Sequence, residues 1–154
     1  MSCNSVQKNN KMKLGIRSIH HVPVAGCTDY SVLAPGSKIN LASFTQATPS
    51  KLPFTPETAD LREDWRYDAG GRSSLVTFAA EIRADREQYR SALNSLTGRS
   101  HLFVVETIDG AKYIIGSPRF PATFTWSDSV SGISKSAFAI KIECKSLHGA
   151  LFSA

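Results

Sequence analysis

The chain has 154 residues, 42% of them hydrophobic and 20% charged, with a formal net charge of +5. That length allows one domain with a real core, and the balance is that of an ordinary globular protein rather than a low-complexity or disulfide-dense chain. No apolar run approaches the roughly 20 residues of a membrane-spanning helix, and Cys3, Cys27 and Cys144 form no CxxC pair, which excludes a ready disulfide framework or zinc site.

The basic excess is local. Up to Pro56 six Lys and Arg residues stand against one acid, Asp29, whereas from Glu57 onward twelve bases balance twelve acids. Residues 1–12 read as a flexible basic arm, and residues 13–154 as a single β-rich domain. Basic clusters that bind nucleic acid usually interleave with aromatic residues, and this arm has none. Nucleic-acid binding through the basic N-terminal third is therefore the second reading.

Leu14 to Val24 has β-branched residues in loose alternation and predicts a strand ending near Pro23. Tyr30 to Leu33 and Ile39 to Phe44 predict two short strands around the Ala34-Pro-Gly-Ser37 turn. From Thr45 to Thr58 three prolines remove ladder donors, so this stretch is an extended loop or hugs a sheet edge. Its apolar residues, Leu52 and Phe54, either fold back on the domain or dock on a neighbouring subunit. Leu61 to Tyr67 alternates Leu61, Glu63, Trp65 and Tyr67 with Arg62, Asp64 and Arg66, a strand with one solvated face. The Asp68-Ala-Gly-Gly71 turn leads into a second strand, Ser73 to Ile82, which pairs with it as an antiparallel hairpin.

Asp85 and Gln88 have the spacing of a capping box, and Tyr89, Leu93 and Leu96 fall on one helical face. Gly98 stands where a helix C-terminus needs a left-handed residue. Asp109-Gly110 separates the β-rich runs His101–Ile108 and Ala111–Gly116, a strong hairpin signal in which both turn residues must tolerate positive φ. The first of these runs is apolar on both faces, which predicts cover by another sheet on one side and the helix on the other. After Pro118 and Pro121, Thr123 to Ser127 and Ala137 to Lys145 predict two further strands. Asp128 to Lys135 is a polar loop, and Phe138, Ile140, Ile142 and Cys144 point inward. The predicted class is mainly β (α+β): an antiparallel β-sandwich or barrel of about eight strands with one flanking α-helix.

Little in the chain points to chemistry. No serine lies in a GxSxG elbow and no cysteine in a catalytic context. His20 and His21 on one strand point to opposite faces, which is poor geometry for joint metal binding, and His101 reads as structural. Gly70-Gly71-Arg72-Ser73 lies between strands rather than before a helix N-terminus, so it reads as a turn and not a phosphate loop. Trp65 and Trp126 suit either stacking on a sugar or base, or packing. No catalytic residue, metal or cofactor is expected.

From Phe54 to Leu147 the chain resembles small virion proteins encoded in phages and prophages of Bacteroidetes-type bacteria. The resemblance rests on Phe54-Thr-Pro-Glu-Thr58, the Gly70-Gly71 turn, Phe103-Val-Val-Glu-Thr-Ile-Asp-Gly110, Tyr113-Ile-Ile-Gly116 and Ser131-Gly132. The layout is also similar to phage tail-tube and baseplate-hub proteins, which build rings from a β-sandwich or barrel flanked by one helix. The resemblance implies a non-enzymatic tail or neck component, assembled in the host cytoplasm and residing in the virion. Its partners would be copies of itself in a homo-oligomeric ring, six-fold among the candidates, and other virion proteins, with nucleic acid secondary and no membrane. In that reading Asp85, Gly98, Asp109 and Gly110 hold the scaffold. Phe44, Leu52, Phe54, Trp65 and Tyr67 are the candidate assembly interface, with the loops 45–58 and 128–135 making subunit contacts. The basic charge departs from the acidic or neutral character usual in lumens that pass DNA.

Overall fold

Two long strands with strict alternation organise the middle of the molecule. From Ser74 onward in Gly71–Ile82 (β5) and throughout Ala137–Ser146 (β9) every second residue is buried, and the two pair antiparallel with Val76 opposite Cys144, Phe78 opposite Ile142 and Ala80 opposite Ile140. Period-2 alternation places those six side chains on one face, and removing them from water drives the sheet onto another layer. The computed structural model describes residues 15–30, 38–83, 86–129, 137–149 and 151–153.

Asp60–Asp68 (β4) and Thr123–Ser129 (β8) flank this pair, giving a four-stranded antiparallel sheet in the order β4-β5-β9-β8. The opposing sheet is built from Ile16–Pro23 (β1), Lys38–Ile39 (β2), Ser50–Leu52 (β3), His101–Thr107 (β6), Lys112–Ile115 (β7) and Leu151–Ser153 (β10). Its order is β2-β10-β7-β6-β1-β3, with only the short β2–β10 contact parallel. Among the described residues the fold is thus a mainly β sandwich of ten strands with one α-helix, Arg90–Leu96 (α1), entered through a 3-10 turn at Arg86–Tyr89. The strands beyond the expected eight or so include two- and three-residue pieces, β2, β3 and β10, too short to show a period.

The inter-sheet core joins Ile19, Leu52, Phe103, Val105 and Ile115 of the six-stranded sheet to the buried faces of β5, β8 and β9. Phe103 stacks on Phe124 across the two layers, with ring centroids 6.2 Å apart. Leu93 and Leu96 of α1 enter the same core, and Tyr89 packs at its margin, so the helical face is the one the sequence predicts.

Three expectations need correction. Strand β6 is covered on both faces, but its second face is not covered by the helix. Leu102 and Val104 lie under a non-repetitive segment, residues 24–30 and 38–47, which contributes Tyr30, Ile39, Leu41 and Phe44. The Tyr30 hydroxyl anchors this cover by donating to the Gly116 carbonyl at 2.8 Å. Second, only the first residue of Ile39–Phe44 is in a strand, as the end of β2. Asn40 accepts from the Ala42 N–H, and the Ser43 N–H donates to the Asn40 carbonyl, which curls Leu41–Ser43 into a 3-10 turn. Tyr30 is described without a strand, and the rest of the Tyr30–Leu33 prediction lies outside the described residues.

Third, the Asp109-Gly110 hairpin closes one residue wider than a two-residue turn. The Gly110 N–H donates to the Thr107 carbonyl and the Thr107 N–H to the Ala111 carbonyl, a three-residue loop in which Gly110, at φ +92°, takes the left-handed position. Gly98 takes the left-handed conformation past the helix C-terminus, one residue beyond the cap Thr97. Thr97 is extended at φ −70°, ψ 132°, and Gly98, at φ +79°, is the third residue of a type II turn closed by Arg99 N–H on Leu96. Asp85, the other half of the expected capping box, lies outside the described residues, as does most of the 128–135 loop.

Candidate functional site

The Pro-rich segment resolves the two alternatives for its apolar residues. Ile19 of β1 pairs with Leu52 of β3, which turns Leu52 into the core at 1% exposure. Phe54 packs edge-on against Phe78, centroids 6.1 Å apart. Both fold back on their own domain, and Leu52 has no surface to offer a neighbour. Phe44 is half-buried in the cover segment, edge-on to Tyr30 at 5.2 Å. The other two interface candidates lie elsewhere: Trp65 and Tyr67 are both on β4, two residues apart on the same face. Tyr67 is 80% exposed. The structure therefore does not gather the five residues into one patch; Trp65 and Tyr67 share an element, β4.

Strand β4 is an edge. It pairs with β5 over its full nine residues, Asp60 opposite Ala79 to Asp68 opposite Gly71, without a register break. Among the described residues no strand pairs with its other side. Its sandwich-side face carries Leu61, Glu63, Trp65 and Tyr67, and its outer face carries Asp60, Arg62, Asp64 and Arg66. The outer-face charges alternate in sign, and Arg62 reaches Asp64 at 3.7 Å. Trp65 is held by two neighbours: the Arg72 guanidinium lies 4.1 Å from its ring centroid, and the backbone of Gly149 comes so close that an added Cβ would sit 2.7 Å from Cζ2. This is a rigid edge rather than a fraying one.

Two histidine sites have chemistry worth examining, and sequence reasoning reached neither pairing. His148 Nε2 lies 3.2 Å from Ser117 Oγ and Nδ1 lies 2.6 Å from the Gly149 carbonyl. The network assigns the proton to Nδ1, leaving Nε2 to accept from the serine hydroxyl. That is how a nucleophile is activated, but Ser117 and His148 are 0% and 1% exposed. Ser117 Oγ also accepts the Phe120 N–H. Ser146 extends the network by accepting the Gly149 N–H and lying 3.3 Å from Ser74. The group ties the β7–β8 connection to the end of β9 as a satisfied internal strut. Burial holds the His148 imidazolium form down. No local spacing announces it, because its members come from three separate stretches of chain.

His21 and His101 meet edge-on at 5.4 Å on the sandwich side of β1 and β6. His101 touches the Arg99 carbonyl at 3.5 Å, while His21 Nδ1 is buried without a hydrogen-bond partner among the described residues. Burial lowers both pKa values, that of His21 further through its His101 and His20 neighbours. His20 faces the other side of the sheet, beside Ser18, Leu41 and Val104. Cys144 is buried and donates to the Phe120 carbonyl at 3.2 Å, and burial pushes its thiol up to about 11. Among the described residues no three His, Cys, Asp or Glu side chains come together as metal ligands.

Asp109 accepts from the Thr107 hydroxyl and, at 3.4 Å, from the Ala111 N–H, which hold its carboxyl below the usual range. With Gly98 and Gly110 it stabilises the two turns flanking β6, a scaffold position away from β4. No helix among the described residues is long and apolar enough to cross a membrane. Compared with family models, curated proteins and solved structures, the chain matches none.

Proposed function

We propose that the protein is a non-enzymatic structural subunit that works by assembling with other subunits, and that its setting is a phage tail or neck. The observation that carries the assembly reading is β4, a nine-residue, unbulged edge strand held rigid from behind by Arg72 and Gly149. An open, regular edge presents a row of backbone donors and acceptors that a neighbouring strand can complete, which is how many assembled β proteins join. The phage setting rests on the motifs between Phe54 and Leu147 and on the sandwich-plus-helix layout.

The test is light scattering coupled to size-exclusion at rising protein concentration, together with electron microscopy of the native particle probed with an antibody to this chain. Oligomers in solution and labelled particles are the expected outcome. A chain that stays monomeric throughout and is absent from every particle overturns the proposal.

A further inference from the structure

The charge pattern on β4 names its partner. Resting on the assembly reading above, we infer that the strand added to β4 is β4 of a second copy, antiparallel, about a two-fold axis at Trp65, joining two four-stranded sheets into one continuous sheet.

The argument is one of register. On its outer face β4 reads Asp60, Arg62, Asp64, Arg66, strictly alternating in sign. In an antiparallel pair, residues directly opposite share a face and lie close enough for charge to matter, favourably for opposite signs and unfavourably for like ones. Centred on Asp64, self-pairing sets Asp64 against Asp64 and Arg62 against the partner's Arg66. Every outer-face contact is then repulsive.

A shift of the axis by one residue reverses this. Centred on Trp65, Asp64 stands opposite the partner's Arg66, twice by symmetry. Centred on Glu63, the outer face is also matched, with Asp60 opposite the partner's Arg66 and Arg62 opposite the partner's Asp64.

The sandwich-side face separates these two. The Glu63 axis brings Glu63 against itself and leaves Tyr67 beyond the overlap. The Trp65 axis brings the two indoles together and sets each Tyr67, 80% exposed in the single chain, opposite the partner's Glu63. A phenol beside a carboxylate can donate to it, and two adjacent indoles remove apolar surface from water. The contact is isologous and closes on itself, as two-fold interfaces do. Alternating charge on an edge usually deters pairing. Here it deters pairing centred on Asp64 and favours the register set by Trp65.

The experiment uses the full chain in sedimentation velocity across a concentration series, with far-UV circular dichroism to verify folding; Arg66 and Asp64 are exposed, so their exchange leaves the core intact. Wild type should form a dimer that weakens with added salt. Arg66→Asp places two acid–acid contacts across the axis and should raise the dimer dissociation constant about tenfold or more. Asp64→Arg combined with Arg66→Asp should restore it, because the exchanged pair is again matched across Trp65.

That rescue is specific to the register, since about a Glu63 axis the double variant would be worse than either single one. A monomeric wild type overturns the self-pairing, while the assembly reading falls only if the chain is also absent from particles. Assembly indifferent to Arg66→Asp overturns the self-pairing and leaves assembly through another surface standing. Loss in the single variant without recovery in the double assigns the edge to a different strand, such as a neighbour's β8, and overturns it too.

Discussion

Replacing Gly149 by alanine tests whether the back wall of β4 is as close as it appears. At φ +68° the residue is in the left-handed region, where an L side chain costs about 1–2 kcal/mol. An added Cβ would also lie 2.7 Å from Cζ2 of Trp65 and collide with the Glu63 carboxylate. The carboxylate can swing away, but the indole is pinned by Arg72 on its face and must move as a unit, an overpacking cost of about 1–3 kcal/mol. The sum is about 2–5 kcal/mol. Gly110 is the control: its φ is +92°, yet an added Cβ meets nothing within 4 Å, so Gly110→Ala should cost only the backbone term, about 1–2 kcal/mol.

At roughly 2–4 °C per kcal/mol for a domain of this size, scanning calorimetry separates the two variants. The chain has two tryptophans, so the displaced Trp65 should also shift the emission spectrum in Gly149→Ala and not in Gly110→Ala. Equal losses of stability with unchanged emission would refute the close approach and, with it, the rigidity claimed for the edge.

Three further outcomes follow from the core and its buried polar groups. Phe78, fully buried between the sheets, should cost about 3–5 kcal/mol on truncation to alanine, measured by urea unfolding; a loss below about 1 kcal/mol would contradict the packing. Burial lowers the pKa values of His21, His101 and His148, so each binds its proton more weakly folded than unfolded. Their contribution is therefore present above the unfolded value near ~6.5 and lost as pH falls through the lower folded values. The urea midpoint should be flat above neutrality and drop on acidification, and His21→Phe should flatten part of that drop. A thiol reagent applied to the native protein should modify half-buried Cys27 while sparing Cys144 until the chain unfolds; equal rates would place Cys144 at the surface.

The strands that alternate strictly were legible from residues alone. In β5 and β9 a one-residue slip would expose Phe78, Ile140 and Ile142 together, so sequence period and structure had to agree. Residues 39–44 misled because Ile39, Leu41 and Phe44 have spacing a strand tolerates; the deciding element was Asn40, whose side chain offers the backbone a competing turn. The cover over Leu102 was not legible, since its apolar side chains come from a segment without a period of its own. The candidate edge lay half in view. The sign alternation along β4 reads as a solvated face until the topology shows that no strand among the described residues pairs with its outer edge.

The insertion of the β6–β7 hairpin between β5 and β9 has a consequence for the order in which the molecule forms. Ser74 must find Ser146 and Ile82 must find Phe138 across the whole of the opposing sheet's central hairpin, whereas β4 needs only the turn at residues 69–70 to reach β5. Contacts separated by so much chain carry a large loop-closure cost and place such folds on the slow side, in milliseconds to seconds. For that interval the β4–β5 hairpin has two bare edges, one facing β9 still to come and one facing outward. β5 carries Val76, Phe78, Ala80 and Ile82 on one face, whereas the outer face of β4 carries Asp60, Arg62, Asp64 and Arg66. A chain arriving early from another copy meets the charged strand first on one side and the apolar strand on the other, and stopped-flow refolding should show concentration-dependent trapping that grows when the β4 charges are removed.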